Sequence, residues 1–110
     1  DEANHRRVTL LFGGEKWHVP EIVVEEFLID DDNAEKFWRH GLSVEHVLQV
    51  LESRWRAKRN RKERRASQII IGRDRSGQCI AIPIEPTFES GVWRPVTAWF
   101  CKPSERSWLP

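Results

Sequence analysis

Three β-rich runs follow one another closely in the second half of the chain: "SQIIIGR", "QCIAIPI" and "GVWRPVTAWFC". The polar, glycine-containing turn "DRSG" joins the first two, and the loop "EPTFES" leads into the third. Consecutive runs with short connections predict an antiparallel meander. Pro83 and Pro95 cannot donate to a ladder, so each belongs at an edge or a bulge. Two short helical stretches precede these runs. In "DDNAEKFWRHG", Asp32 with Glu35 three residues on has the form of a capping box, and Gly41 suits the left-handed position past a helix end. Ser43 then caps a second helix, where Val44, Val47, Leu48 and Leu51 fall at i, i+3, i+4 and i+7. Two helices meeting at "HGLS" need a partner for their apolar faces, and the sheet supplies it. Helices first and strands later predict an α+β fold, a small antiparallel sheet with two N-terminal-half helices packed on it. Further upstream, "VTLLF" (Val8–Phe12), ended by Gly13 and Gly14, and "EIVVEEFLID" read as strands.

The 110 residues fit a single domain, with six Trp among them to help build a core. No long apolar run predicts a membrane span, and no signal-peptide pattern opens the chain. Cys79 and Cys101 sit in apolar stretches and are too few for a disulfide framework, which predicts buried free thiols in a reducing cytoplasm. No Cys/His group has metal-ligand spacing, so neither a metal nor another cofactor is expected.

Charge is strongly segregated. Residues 1–35 carry ten acidic and three basic groups, a balance of −7, whereas residues 36–65 carry ten basic and three acidic, a balance of +7. Within "RWRAKRNRKERR" (residues 54–65), eight of twelve residues are Lys or Arg and only Glu63 is acidic. Lacking apolar periodicity, this run reads as a loop or an exposed helical extension. It can pair with the acidic N-terminal segment of the same chain, hold an acidic partner, or bind a polyanion such as RNA.

The ordered motifs "RHG", "LSVEHVLQVL", a basic linker, "IIIGRDRSGQCIAIPI" and "WRPVTAWFCKPSER" resemble the BrnT-like toxins of bacterial type II toxin–antitoxin modules. The likeness covers residues 30–107 and leaves residues 1–29 as an N-terminal extension with one or two short strands. His40-Gly41, Ile71-Gly72-Arg73, Arg94 with the following "VTA", and Glu105-Arg106 carry it. Trp99 stands where the family usually has Arg, and Asp32 and Lys36 stand where it usually has Lys and Asn. The resemblance implies a RelE-like fold, metal-independent endoribonuclease activity on cellular RNA, and a cognate antitoxin. It also implies a cytoplasmic protein that assembles as a homodimer or a toxin–antitoxin hetero-oligomer.

Such a ribonuclease needs a base for the RNA 2′-OH, an acid for the leaving oxygen and fixed positive charge at the phosphate. The chain has no Tyr. The catalytic candidates are therefore His40, Arg73 and Arg94. His40 is an acid–base candidate, since histidine ordinarily titrates near neutral pH, or else a cap on helix carbonyls. Arg73 and Arg94, on adjacent elements of the expected sheet, are a phosphate clamp or solvent-facing strand-end cations. RNA-binding candidates are Lys36, Arg39, Arg54, Arg56, Lys58, Arg59, Arg61, Lys62, Arg64 and Arg65. Trp93 and Trp99 share a face if the last strand is regular, and Pro95 between them allows a bulge; core packing is expected of both. Trp55, inside the basic run, either meets RNA or anchors the loop. The competing reading is a non-catalytic module of the same fold that binds RNA or protein through its basic face.

Overall fold

A computed structural model describes residues 6–8, 22–61 and 65–109. The expected strand Val8–Phe12 lies mostly outside them, as do Gly13, Gly14, Lys62 and Arg64. Strand β1 (Arg6–Val8) pairs antiparallel with β2 (Ile22–Val24). The chain then enters the main sheet through β3 (Glu26–Phe27), so "EIVVEEFLID" forms two short strands rather than one.

Helix α1 (Asp31–Arg39) begins earlier than Asp32 and Glu35 suggest. Its cap is Asp30: Asp30 Oδ1 accepts from the Asn33 N–H at 2.8 Å, and Asn33 Oδ1 accepts from the Asp30 N–H at 2.9 Å. Asn33 decides the start because its amide nitrogen also donates to the carbonyls of Leu28 and Pro95, at 2.9 and 3.0 Å. It is fully buried, and these bonds fasten the helix start to the sheet. Asp32 and Glu35 instead pair one turn on, with Lys36 at 3.3 Å and Arg39 at 2.7 Å.

At the other end Gly41 has φ +80°, as expected. Its N–H donates to Trp38 O and the Leu42 N–H to Phe37 O, which ends the helix and drops Leu42 into the core. Ser43 caps α2 (Val44–Val50), accepting from the His46 N–H and donating its own N–H to His46 Nδ1. Val47 and Val50 are the buried residues of α2, with Val44 and Leu51 partly buried against the core. Leu48, expected in the stripe, is exposed.

The basic run departs most from expectation. Arg56–Arg59 is a strand, β4, paired antiparallel with β5 (Gln68–Arg73). Trp55 and Ala57 are buried in the core beneath the helices, so the backbone alternates between apolar anchors and outward cations. β6 (Cys79–Pro86) pairs antiparallel with β5 and with β7 (Val92–Pro95), and the strand order is β3-β7-β6-β5-β4. β3 runs parallel to β7, which makes the sheet mixed around the expected antiparallel meander. The fold class is therefore α+β.

The third run is broken by a bulge. β7 pairs with Ile84–Pro86, and β8 (Trp99–Phe100) pairs with Ile80 and Ala81 of the same strand. Residues 96–98 oppose only Ile82 and Pro83, an excess of one residue. The Val96 N–H donates to Pro83 O at 2.9 Å. A residue's nitrogen and carbonyl point to the same side of a strand, so the missing N–H of Pro83 faces the bulge rather than β5. The bulge also resolves the tryptophans. Trp93 packs on the helix side, donating its indole N–H to Val23 O at 3.0 Å, whereas Trp99 packs on the opposite face.

The two faces have separate cores. Phe37, Leu42, Val47 and Val50 from the helical segment meet Ile70, Ile80, Ile82 and Ile84 on one side. On the other, Ile69, Ile71, Cys79, Ala81 and Cys101 are covered by Trp99, Trp108 and Leu109, with the short helix α3 (Pro103–Arg106) between them. Burial on both sides explains why "IIIG" and "CIAIPI" read as nearly continuous apolar runs. The expectation of free thiols is corrected: Cys79 and Cys101 form a disulfide with their Cα atoms 5.3 Å apart. The β6–β8 register sets them opposite each other, a long-range relationship that two isolated cysteines do not reveal. A bridged pair of cysteines does not point to a reducing compartment. Among the described residues no helix is long and apolar enough to cross a membrane.

Candidate nucleic-acid interface

Strand alternation sorts the predicted RNA-binding residues. Ala57 points to the helix side, so its neighbours Arg56 and Lys58 point to the second face. Lys58 Nζ lies 5.6 Å from the Trp108 ring centroid, which confirms the sorting. Where the chain passes from β4 to β5, Asn60 holds the loop base: its Nδ2 donates to Ala66 O at 2.8 Å, and its N–H to Ser67 O at 3.0 Å. Arg61 and Arg65 line a cleft of about 550 Å³. Ile69 and Pro83 line it from the sheet, Trp99 from β8, and Lys102 and Glu105 from the C-terminal segment.

Glu105 organises the far wall. It is almost fully buried, and its carboxylate accepts the Trp99 indole N–H at 3.0 and 3.2 Å and the Lys102 N–H at 2.7 Å. Lys102 Nζ in turn lies 5.8 Å from the Trp99 ring centroid. Arg65 is held on the near wall by Glu85, Nε to Oε1 at 2.8 Å. Burial pushes the Glu85 carboxyl up, and hydrogen bonds from Arg65 and Arg94 more than offset this, leaving it below the usual carboxylate range. The face therefore presents Arg56, Lys58, Arg61, Arg65 and Lys102 beside two tryptophans. Both of the acids built into it are occupied.

Of the residues proposed for catalysis, Arg94 stands apart from the other two. Arg94 grips Asp30 through two bonds, Nε to Oδ2 at 2.8 Å and Nη2 to Oδ1 at 3.1 Å. It also reaches Glu85 at 3.1 Å and Asp32 at 3.3 Å. Donation to Asp30 raises the Arg94 pKa above its ordinary value and lowers that of Asp30. Arg73 lies opposite Cys79 and Arg94 opposite Glu85, so six residues of β6, about 20 Å, separate them along the strand. β5 and β7 also flank β6 on opposite sides, so the two arginines sit near different ends of β6 and form no clamp in this structure. Arg73 is exposed and donates to Gly77 O at 3.0 Å. His40 is exposed at the C-terminal cap of α1, a helix about 14 Å long that starts beside Asp30.

Lys36 and Arg39, on α1, belong to the helix side and each pairs with an acid on the same helix. Arg54 and Arg59 are exposed at the two ends of the β4 segment. Lys62 and Arg64 are outside the described residues. Among the described residues no cluster of three or more His, Cys, Asp or Glu could hold a metal ion. Sequence reasoning missed Asn60, Lys102 and Glu105 as parts of one cleft. The available signal was Glu105 three residues after Lys102, the spacing of a capping box around Pro103.

This arrangement can neutralise successive phosphates and offer apolar ring surface beside them. No model of a known protein family matches the chain, and no curated protein matches it.

Proposed function

We propose that the protein binds single-stranded RNA across its second sheet face, as a non-catalytic module. The observation that carries this reading is the convergence of Arg56, Lys58, Arg61, Arg65 and Lys102 with Trp99 and Trp108 on one face. A cleft of about 550 Å³ suits unpaired nucleotides better than a rigid duplex, whose grooves take inserted elements rather than being taken up. Binding of this kind is salt-sensitive and largely blind to sequence.

The small sheet with two helices on one side supports a RelE-like placement of the fold. On the BrnT-like resemblance, the protein is cytoplasmic and an acidic segment of a cognate antitoxin would occupy the same face and compete with RNA. The endoribonuclease reading requires His40, Arg73 and Arg94 around one phosphate, and the distance of Arg94 from Arg73 along β6, with its enclosure by Asp30, Asp32 and Glu85, favours binding without cleavage. The test is incubation of a long unstructured RNA with purified protein and EDTA, beside a filter-binding measurement. Salt-dependent binding with intact RNA is expected. Cleavage that survives purification and is lost in a His40→Ala, Arg94→Ala variant would restore the ribonuclease reading.

A further inference from the structure

We infer that the Cys79–Cys101 bridge is a redox latch on the C-terminal strap that forms one wall of the RNA face. This rests on the RNA reading of the cleft. Cys79 opens β6, Cys101 follows β8 directly, and the two are 22 positions apart in sequence. The strap begins at the next residue. Lys102 and Glu105 line the cleft, and Trp108 and Leu109 cover the second core.

Regular secondary structure fastens this segment weakly. β8 makes two residue pairs with β6, α3 is a single turn, and the bridge adds the one covalent tie. A single turn of helix has no stability of its own. Once the bridge opens, the non-covalent holds on the strap are the Trp108 and Leu109 packing, the Lys58–Trp108 contact and the Glu105 bonds. Its departure removes Lys102 from the cleft and leaves the Trp99 indole without Glu105. The oxidised state is thus the one that binds RNA, and reduction weakens binding.

The chemistry requires a dithiol reductant, small-molecule or protein. One of its thiolates attacks a bridge sulfur, the S–S bond breaks, and a mixed disulfide forms. Its second thiol displaces the remaining protein sulfur. Two electrons pass to the bridge, Cys79 and Cys101 each end as a thiol with a proton, and the reductant leaves as a disulfide. In a reducing compartment disulfides are mostly transient and redox-sensing, the role assigned here.

The test uses the full chain in three forms: oxidised, reduced with dithiothreitol, and reoxidised after removal of the reductant. Fluorescence anisotropy with a labelled single-stranded RNA is read beside amide hydrogen exchange of residues 102–109. Reduction is expected to accelerate exchange in that segment and to raise Kd roughly tenfold or more, with both effects reversed on reoxidation. A Cys79→Ser, Cys101→Ser double variant should behave like the reduced protein. Unchanged exchange on reduction overturns the latch, and so does equal affinity in both states despite faster exchange. If neither state binds RNA but exchange responds, the RNA reading falls while the latch stands.

Discussion

Trp99 donates its indole N–H to the buried carboxylate of Glu105 at 3.0 Å, and the same carboxylate caps the Lys102 N–H at 2.7 Å. One side chain thus fixes both the aromatic and the cationic part of the cleft wall. Glu105→Ala leaves two donors without their partner and should cost about 2 kcal/mol in urea denaturation. Glu105→Gln keeps an acceptor oxygen and should cost less than half as much. An equal loss in both variants would mean that the negative charge, rather than the hydrogen bonds, holds the wall.

Arg94 sits among Asp30, Asp32 and Glu85, with its side chain only 14% exposed. Asp30 and Glu85 both lie below the usual carboxylate range in the folded protein. Their pairing with Arg94 therefore stabilises the fold fully above about pH 5 and is lost as pH falls through the depressed folded values. Arg94→Met should cost about 1–3 kcal/mol at neutral pH, a modest figure because Asp30 and Asp32 face solvent. The gap from wild type should shrink as denaturant titrations are repeated toward about pH 2. A constant gap would assign the loss to packing instead.

Gly72 lies where α2 crosses β5. A Cβ there would come within 2.7 Å of Val50 Cγ1, 2.8 Å of Ser53 Oγ and 3.0 Å of Trp55 Cβ. Gly72→Ala should destabilise the protein by about 1–3 kcal/mol through overpacking, with a lowered thermal midpoint as the readout. A neutral result would show that the helix can lift off the sheet at no cost.

Lys36, Arg39 and His40 lie on or beside α1, on the side of the sheet away from the cleft. Alanine at each should leave RNA affinity within about twofold of wild type, because none reaches a phosphate on the second face. A tenfold loss at any of them would place RNA against the helices.

The legible parts of the fold were those set by local chemistry. Ser43 as a cap, Gly41 in left-handed backbone and the β5–β6–β7 meander follow from residue type and spacing. The Asp30 cap was hidden because a run of three acids offers several starts. Asn33 chooses among them through a bond to Pro95, 62 residues away. β4 was obscured by its charge, although the Trp55-x-Ala57 alternation was present beneath it. Trp99 and Trp93 separated because one extra residue at the bulge inverts the side-chain parity. Of the site, Arg56, Lys58, Arg61 and Arg65 were legible as cations. That Arg94 is enclosed by carboxylates, and that Cys79 meets Cys101, depend on strand register, which composition and spacing do not encode.

The most direct measurement is the salt dependence of single-stranded RNA binding by the oxidised protein, beside an Arg61→Ala, Lys102→Ala variant. The account predicts a linear fall of log affinity with log salt, by about 0.7 per phosphate contact. The variant should bind roughly tenfold more weakly or worse, with a slope shallower by about 1.4. Absence of binding, or a slope that ignores the loss of both cations, would contradict an RNA interface on this face.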